Sequence, residues 1–206
     1  MLLATPPRVH DCAFRPLPSP PPPRYRSRVH TSIAVAFATC LVFTACGAPP
    51  APAPAPVSEA AKFEALRLRN FSMPQPNLLA TGQPTEEQFA QLAKLGVLHV
   101  VCLRLADEVG TGWEEPKAKE LGVHFVRLPV DGQKGLTVDN AQKLAQELAA
   151  ANGGTTLVCC GSSNRVGALL AMKAFHVDKQ SAADALALGK AAGLKSLEPQ
   201  VVDKLK

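Results

Sequence analysis

Two cysteines and an arginine bracket a short polar stretch late in the chain, Cys159-Cys160-Gly161-Ser162-Ser163-Asn164-Arg165. The residues before it, 155–160, form an apolar run with β-branched members, and those after it, 166–175, are apolar on nearly every helical face. A thiol ending a buried strand, a loop, and an arginine opening a buried helix together make an oxyanion site. Loop N–H groups and the unpaired N–H groups of the first helical turn converge on one point, and the helix dipole adds positive potential there. The same field favours a thiolate, and so a nucleophile, while Arg165 can grip two oxygens with its planar fork. Gly161, Ser162, Ser163, Asn164 and Arg165 are therefore the candidate phosphate-binding residues. Free cysteines are more often inert hydrophobes, and an arginine at a helix start is often a surface charge. The depth at which the flanking strand and helix must be buried sets this run apart, because it holds the loop rigid.

Adjacent residues on a strand face opposite ways, so only one of Cys159 and Cys160 can point into the cradle. Five residues separate Cys159 from Arg165 and four separate Cys160 from it. A bond between the two neighbours is excluded in practice, because consecutive Cα atoms lie about 3.8 Å apart, below the usual disulfide range. Cys102, on another strand, is the better partner for either thiol on oxidation. Cleaving a phosphate ester also needs an acid on the leaving oxygen. Asp131 lies 29 residues before Cys160, at the end of what is expected to be the neighbouring strand, and Asp107 and Glu108 compete for the role. No Cys-x-x-Cys pair and no histidine cluster at ligand spacing occurs, so no metal and no cofactor is expected. His99, His124 and His176 fall within strand or helix patterns and read as structural.

The front of the chain has a different character. Residues 1–28 are proline-dense; Arg24, Arg26 and Arg28 then precede a twelve-residue apolar stretch, 32–43, followed by Thr44-Ala45-Cys46-Gly47. A basic end, an apolar middle and small residues before a cut make an export signal, and twelve residues fall short of the roughly 20 that span a bilayer. A cysteine directly after the small residues resembles the bacterial lipoprotein box. Cys46 is then the expected lipidation site, residues 1–45 the signal, and the periplasmic side of a membrane the expected location. Residues 46–60 form a proline-alanine spacer that favours extended polyproline II. The chain's net charge of +5 is mostly leader, because five arginines and one aspartate precede Cys46 and leave 17 basic against 16 acidic residues. That balance, with no basic stripe interleaved with aromatics, argues against nucleic acid. Three cysteines remain in the body, an odd number that does not build a disulfide framework.

Residues 61–206 are the expected folded domain, with strands and helices alternating from Asn70 onward. Thr85-Glu86-Glu87-Gln88 is a capping box opening a helix whose Phe89, Leu92 and Ala93 share a face, stopped by Gly96. Strand 97–103, a short helix 113–121 and strand 123–130 follow. Thr137 caps an amphipathic helix carrying Ala141, Leu144, Ala145 and Leu148; strand 155–160, the loop and the buried helix come next, and helices near 182–192 and 198–205 close the chain. Strands separated by such helices require crossovers. The expected fold is α/β: a mostly parallel four- to five-stranded sheet flanked by helices in three layers. Ligands sit beyond the carboxyl ends of such strands, where 160–165, 104–108 and 131–137 all fall.

From Asn70 to about residue 177 the chain resembles the bacterial dual-specificity-phosphatase-like proteins, some of which are fused to a β-lactamase-like persulfide-oxidising domain. The resemblance rests on Asn77-Leu78-Leu79-Ala80-Thr81-Gly82-Gln83-Pro84-Thr85, on Leu103-Arg104 with acidic residues soon after, on Leu128-Pro129-Val130, and on the Cys-to-Arg loop entering Val166-Gly167-Ala168-Leu169. It implies a cysteine-phosphatase fold and a hydrolase that cleaves phosphomonoesters, on a phosphoprotein or a phosphorylated small molecule, through a phosphocysteine. The family pattern puts its histidine at Cys159 and its nucleophile at Cys160, with Cys159 the alternative, and an aspartate near Asp131. Two departures stand out: Val166 replaces a hydroxyl that helps the thiolate leave, and Ser163 stands where the general signature has glycine. Slow turnover is the expectation. The four-residue gap also occurs in sulfurtransferases, so a cysteine persulfide carrier is one alternative and a non-catalytic phosphate- or partner-binding module another.

Overall fold

The computed structural model describes residues 59–206. The export signal, Cys46 and nearly all of the proline-alanine spacer lie outside the described residues.

Five strands form one sheet in the order β1-β2-β5-β3-β4, in which β1 (Ser72–Gln75) runs antiparallel to β2 (Leu78–Thr81) and all other neighbours are parallel. Helices α2 (Glu86–Lys94), α3 (Glu114–Leu121) and α4 (Val138–Ala150) make the crossovers between β2, β3 (His99–Cys102), β4 (His124–Arg127) and β5 (Thr156–Cys159). The chain then runs through α5 (Asn164–His176), α6 (Ala182–Ala191) and α7 (Glu198–Lys204), and α1 (Glu59–Glu64) precedes the sheet. The expected α/β class and parallel sheet are what the structure has.

Strands β2, β3 and β5 are buried at every position because helices cover both faces, as in other parallel sheets. Their alternation sorts the core into two layers. Leu78, Ala80, Val101, Leu103, Val158 and Cys160 pack with Ala141 and Leu144 of α4 and with α5. Leu79, Val100, Cys102, Leu157 and Cys159 pack with Phe63 of α1, Phe89 and Leu92 of α2 and Ala118 of α3. Thr85 caps α2 with the reciprocal Gln88 bonds of a capping box, and Thr137 caps α4 through the Asn140 N–H. Helix α5 is buried from Val166 through Met172, and Gly167 lets α6 cross it closely: a Cβ there would collide with the Gly189 carbonyl oxygen of α6 and with the Leu194 nitrogen just beyond that helix.

The strands are shorter than the apolar runs that announced them, although Leu103, Val130 and Cys160 beyond their ends remain core residues. The hairpin β1–β2 has no counterpart in the sequence reading. Pro74 and Pro76 mark the segment as loop, yet an edge strand with an irregular register tolerates proline, and Asn77 supplies the left-handed turn residue at φ 59°. At the rim where the parallel strands begin, the β3–β4 register pairs His99 with His124.

Candidate active site

Strand β5 is central, and its carboxyl end meets β2 and β3 in register, Thr81 and Cys102 both opposite Cys159. The cradle therefore opens at the middle of the rim. Cys160 follows immediately, its N–H donating to the Thr81 carbonyl at 3.3 Å. Loop carbonyls are drawn outward: Asn70 Nδ2 donates to the Ser162 carbonyl at 2.9 Å. Gly167 N–H makes the first turn-closing bond of α5, to the Ser163 carbonyl at 2.9 Å, so the N–H groups of Asn164, Arg165 and Val166 precede the helical ladder.

Ser163 adopts φ 67°, the left-handed conformation in which glycine is at ease, and this explains why a glycine belongs at that point of the general signature. Its hydroxyl, fully buried, donates to the Ala192 carbonyl at 2.9 Å. Asn164 is likewise turned to the α6–α7 connection, accepting from the Lys195 N–H at 2.8 Å and donating to Ser196 Oγ at 2.7 Å. Within the candidate phosphate-binding set, the side chains of Ser163 and Asn164 are thus engaged with the segment after α6, and what these two residues offer the cradle is backbone N–H.

Arg165 folds back over the loop, with its Nη2 3.5 Å from where a Cβ on Gly161 would lie. Glu108 takes the end of its fork with both oxygens, from Nη1 at 2.6 Å and from Nη2 at 2.8 Å, and the Val130 carbonyl accepts a further bond from Nη1 at 3.1 Å. Glu108 is itself fixed by the Leu105 N–H at 2.8 Å and Arg104 Nε at 3.1 Å. The guanidinium has a second edge, Nε–H with the outer Nη2–H, which these bonds leave for an oxyanion. Cys160 is near enough to this arginine for a negative charge on its sulfur to help keep the guanidinium protonated.

The three rim loops thus meet at Arg165, and the acid candidates separate. Hydrogen bonds from Arg165, with lesser ones from Leu105 and Arg104, hold the Glu108 carboxyl down at about 2; it is an ionised clamp, unable to supply a proton near neutrality. Asp107 and Asp131 are exposed. Asp131 directly follows Val130, whose carbonyl touches Arg165, but its strand is the sheet edge, one strand removed from β5 rather than its neighbour. The clamping role of Glu108 was legible only as an acidic residue after β3.

Cys159 points to the other layer, where Cys102 stands opposite it, and Cys102, Cys159 and Cys160 are all free and buried. Its hydrogen bond to Cys102, together with complete burial, pushes the Cys159 thiol well above its ordinary value, while Cys102, accepting that bond, is held lower. Arg127 donates from Nη1 to Cys102 Sγ at 3.8 Å, from Nε to Glu115 at 3.0 Å and from Nη2 to buried Glu114 at 3.4 Å. Glu114 also accepts from Gln83 Nε2 at 3.0 Å and the Gly112 N–H at 2.7 Å, which gives the glutamine of the Gly-Gln-Pro-Thr run a structural role.

Comparisons with known proteins agree with this fold. A search of curated proteins finds no match. Among solved structures, a protein from Shewanella putrefaciens CN-32 described as "Putative phosphatase (DUF442)" superposes with a TM-score of 0.56 at 21% identity, covering 69% of this chain and 95% of that one. P. aeruginosa TpbA, in a complex with pTyr, gives 0.53 at 20% identity over 66% of this chain and 83% of its own. PTPMT1 gives 0.52 at 19% identity over 66% and 91%. At such identities the likeness is one of fold. The family described as "Swiss Army Knife protein, DSP-PTPase phosphatase domain" matches residues 68–199, which span every strand of the sheet and the whole Cys-to-Arg loop, and it is to this family that the chain belongs.

Proposed function

We propose that the domain hydrolyses phosphomonoesters through a phosphocysteine on Cys160. The observation that carries this reading is Arg165: Glu108 grips one edge of its fork and leaves the other over the loop beside Cys160. The Cys160 sulfur attacks phosphorus, forming the S–P bond as the ester P–O bond breaks. Asp131 gives its proton to the departing oxygen, and water then attacks the phosphocysteine and releases inorganic phosphate. Arg165 and the loop amides hold the equatorial oxygens throughout. Val166 offers no hydroxyl to the departing sulfur, so the second step is the slow one and phosphoenzyme accumulates.

Among the neighbours in fold, TpbA is held with pTyr and PTPMT1 with PI(5)P, and both ligands, with an aryl phosphate, make a suitable panel. Hydrolysis by the wild type should fall below detection in Cys160→Ser and stay within a few-fold in Cys159→Ser; Asp131→Asn should lose on the order of a hundredfold. A pre-steady-state burst of the alcohol product should match one phosphoenzyme per chain. Activity that survives Cys160→Ser and disappears in Cys159→Ser overturns the assignment. Sulfur transfer from thiosulfate to cyanide without phosphate release would replace it with persulfide chemistry, and inertness in both assays with a binding module.

A further inference from the structure

The rim opposite the phosphate loop carries a second group of chemically capable side chains. His99 opens β3 and His124 opens β4, paired in register on the sheet face that α4 covers. Glu147, one turn beyond Leu144 on the inward side of α4, reaches over both: its Oε2 lies 3.5 Å from His99 Nε2 and 3.7 Å from His124 Nε2. The imidazole rings are 4.5 Å apart between centroids, tilted by 44°. One donor atom from each residue lies within 4.8 Å of the other two.

These spacings are poor for the obvious structural role. Glu147 stands too far off to close a good hydrogen bond with either ring, since such bonds run at about 2.7–3.2 Å. His99 is 8% exposed, and its Nε2 is a buried nitrogen with no hydrogen-bond partner. Buried polar atoms are almost always satisfied, so an orphan aimed at two other donors calls for an explanation. A metal ion supplies one. Bonds of 2.0–2.1 Å to a tetrahedral zinc place its ligand atoms about 3.3 Å apart, close to the two carboxylate-to-imidazole distances, and a small movement of Glu147 and of the half-open His124 completes the geometry. Two imidazoles and a carboxylate suit a borderline ion of the Zn²⁺ type better than Mg²⁺ or Ca²⁺, which prefer all-oxygen shells.

We propose that His99, His124 and Glu147 bind a divalent transition-metal ion, Zn²⁺ foremost, at the start of β3 and β4. Three protein ligands leave a fourth position for water, on the side where His124 is exposed. The ion ties α4 to two neighbouring strands at the end of the molecule away from Cys160, and the sequence hides it because the two histidines are 25 residues apart and the carboxylate lies on a third element.

The test uses the whole purified protein, stripped with chelator and titrated with Zn²⁺ by calorimetry and with Co²⁺ by visible absorption. One equivalent should bind with micromolar or tighter affinity. The cobalt form should show ligand-field bands without the near-ultraviolet charge transfer that a thiolate ligand produces. Zn²⁺ at about a hundred times its Kd should raise the melting temperature by several degrees. His124→Ala and Glu147→Gln, both changes outside the sealed core, should weaken binding by more than about tenfold, in line with the loss of a ligand. Should either variant fail to fold, ring resonances of the wild type decide: Zn²⁺ must shift His99 and His124 and leave His176 in place. Thiolate charge transfer, unchanged affinity in both folded variants, or no saturable binding overturns the proposal.

Discussion

Two thiols, Cys160 and Cys102, each near an arginine paired with glutamate, occupy opposite faces of one sheet and have opposite chemical prospects. On one face Cys160 is near Arg165, clamped by Glu108; on the other Cys102, which takes a hydrogen bond from Cys159, adjoins Arg127, clamped by Glu114 and Glu115. The residue types are the same. What differs is the backbone around them: Cys160 opens onto a loop and the first turn of α5, where amides precede the helical ladder, whereas Cys102 and Cys159 face helix sides and each other. A thiol, an arginine and a carboxylate therefore do not make a site by themselves. An oxyanion also needs donors that no protein group has taken; the first turn of α5 offers them beside Cys160, whereas the helix start near Cys102, that of α3, carries the carboxylates Glu114 and Glu115 that already hold Arg127.

Exchanging the two clamps' fates should break this comparison if it is wrong. Glu114→Ala empties a buried carboxylate site, leaving Arg127 with Glu115 alone and Gln83 and the Gly112 N–H without their acceptor, a loss of about 3 kcal/mol, which lowers the melting temperature by roughly 10 °C, with kcat of the folded protein changed only a few-fold. Glu108→Gln should do the reverse: a smaller fall in melting temperature, and a loss in aryl-phosphate turnover on the order of a hundredfold as Arg165 loses its orientation. Calorimetry and kcat measured on the same two preparations check both; equal effects on turnover would erase the distinction between the faces.

Acid titration sharpens the contrast. Glu108 drops from its ordinary 4.5 to about 2 in the folded protein, the Arg165 bonds being the first cause. A carboxyl whose folded value is depressed stabilises the fold fully above its unfolded value and loses that contribution as pH falls through 4.5 toward 2. Urea midpoints should therefore fall over this window in the wild type and fall less steeply in Glu108→Gln. The smallest effect belongs to Ser163→Gly, which relieves a left-handed serine but removes its bond to the Ala192 carbonyl. The two changes, each near 1 kcal/mol, oppose one another, and the melting temperature should move by no more than a few degrees.

Much of this molecule was readable from residue order because the relevant signals are local. The capping box at Thr85, the cap at Thr137, the alternation that parts Cys159 from Cys160 and the apolar run from Val166 each act over a few residues, and the structure has them where the sequence placed them. The β1–β2 hairpin was hidden by Pro74 and Pro76, since only an edge position makes proline acceptable in a strand. Strand order was hidden as well: the insertion of β5 between β2 and β3 sets Cys159 against Cys102 and leaves Asp131 beyond an edge strand. Sequence by itself determined the α/β alternation, the family and the Cys-to-Arg loop, all written in neighbouring residues. Tertiary structure alone decided that Glu108 clamps Arg165, that Ser163 and Asn164 turn their side chains away from the cradle, and that His99, His124 and Glu147 meet. Those are contacts between groups far apart along the chain, and their geometry exists only once crossovers and register have brought separate elements together.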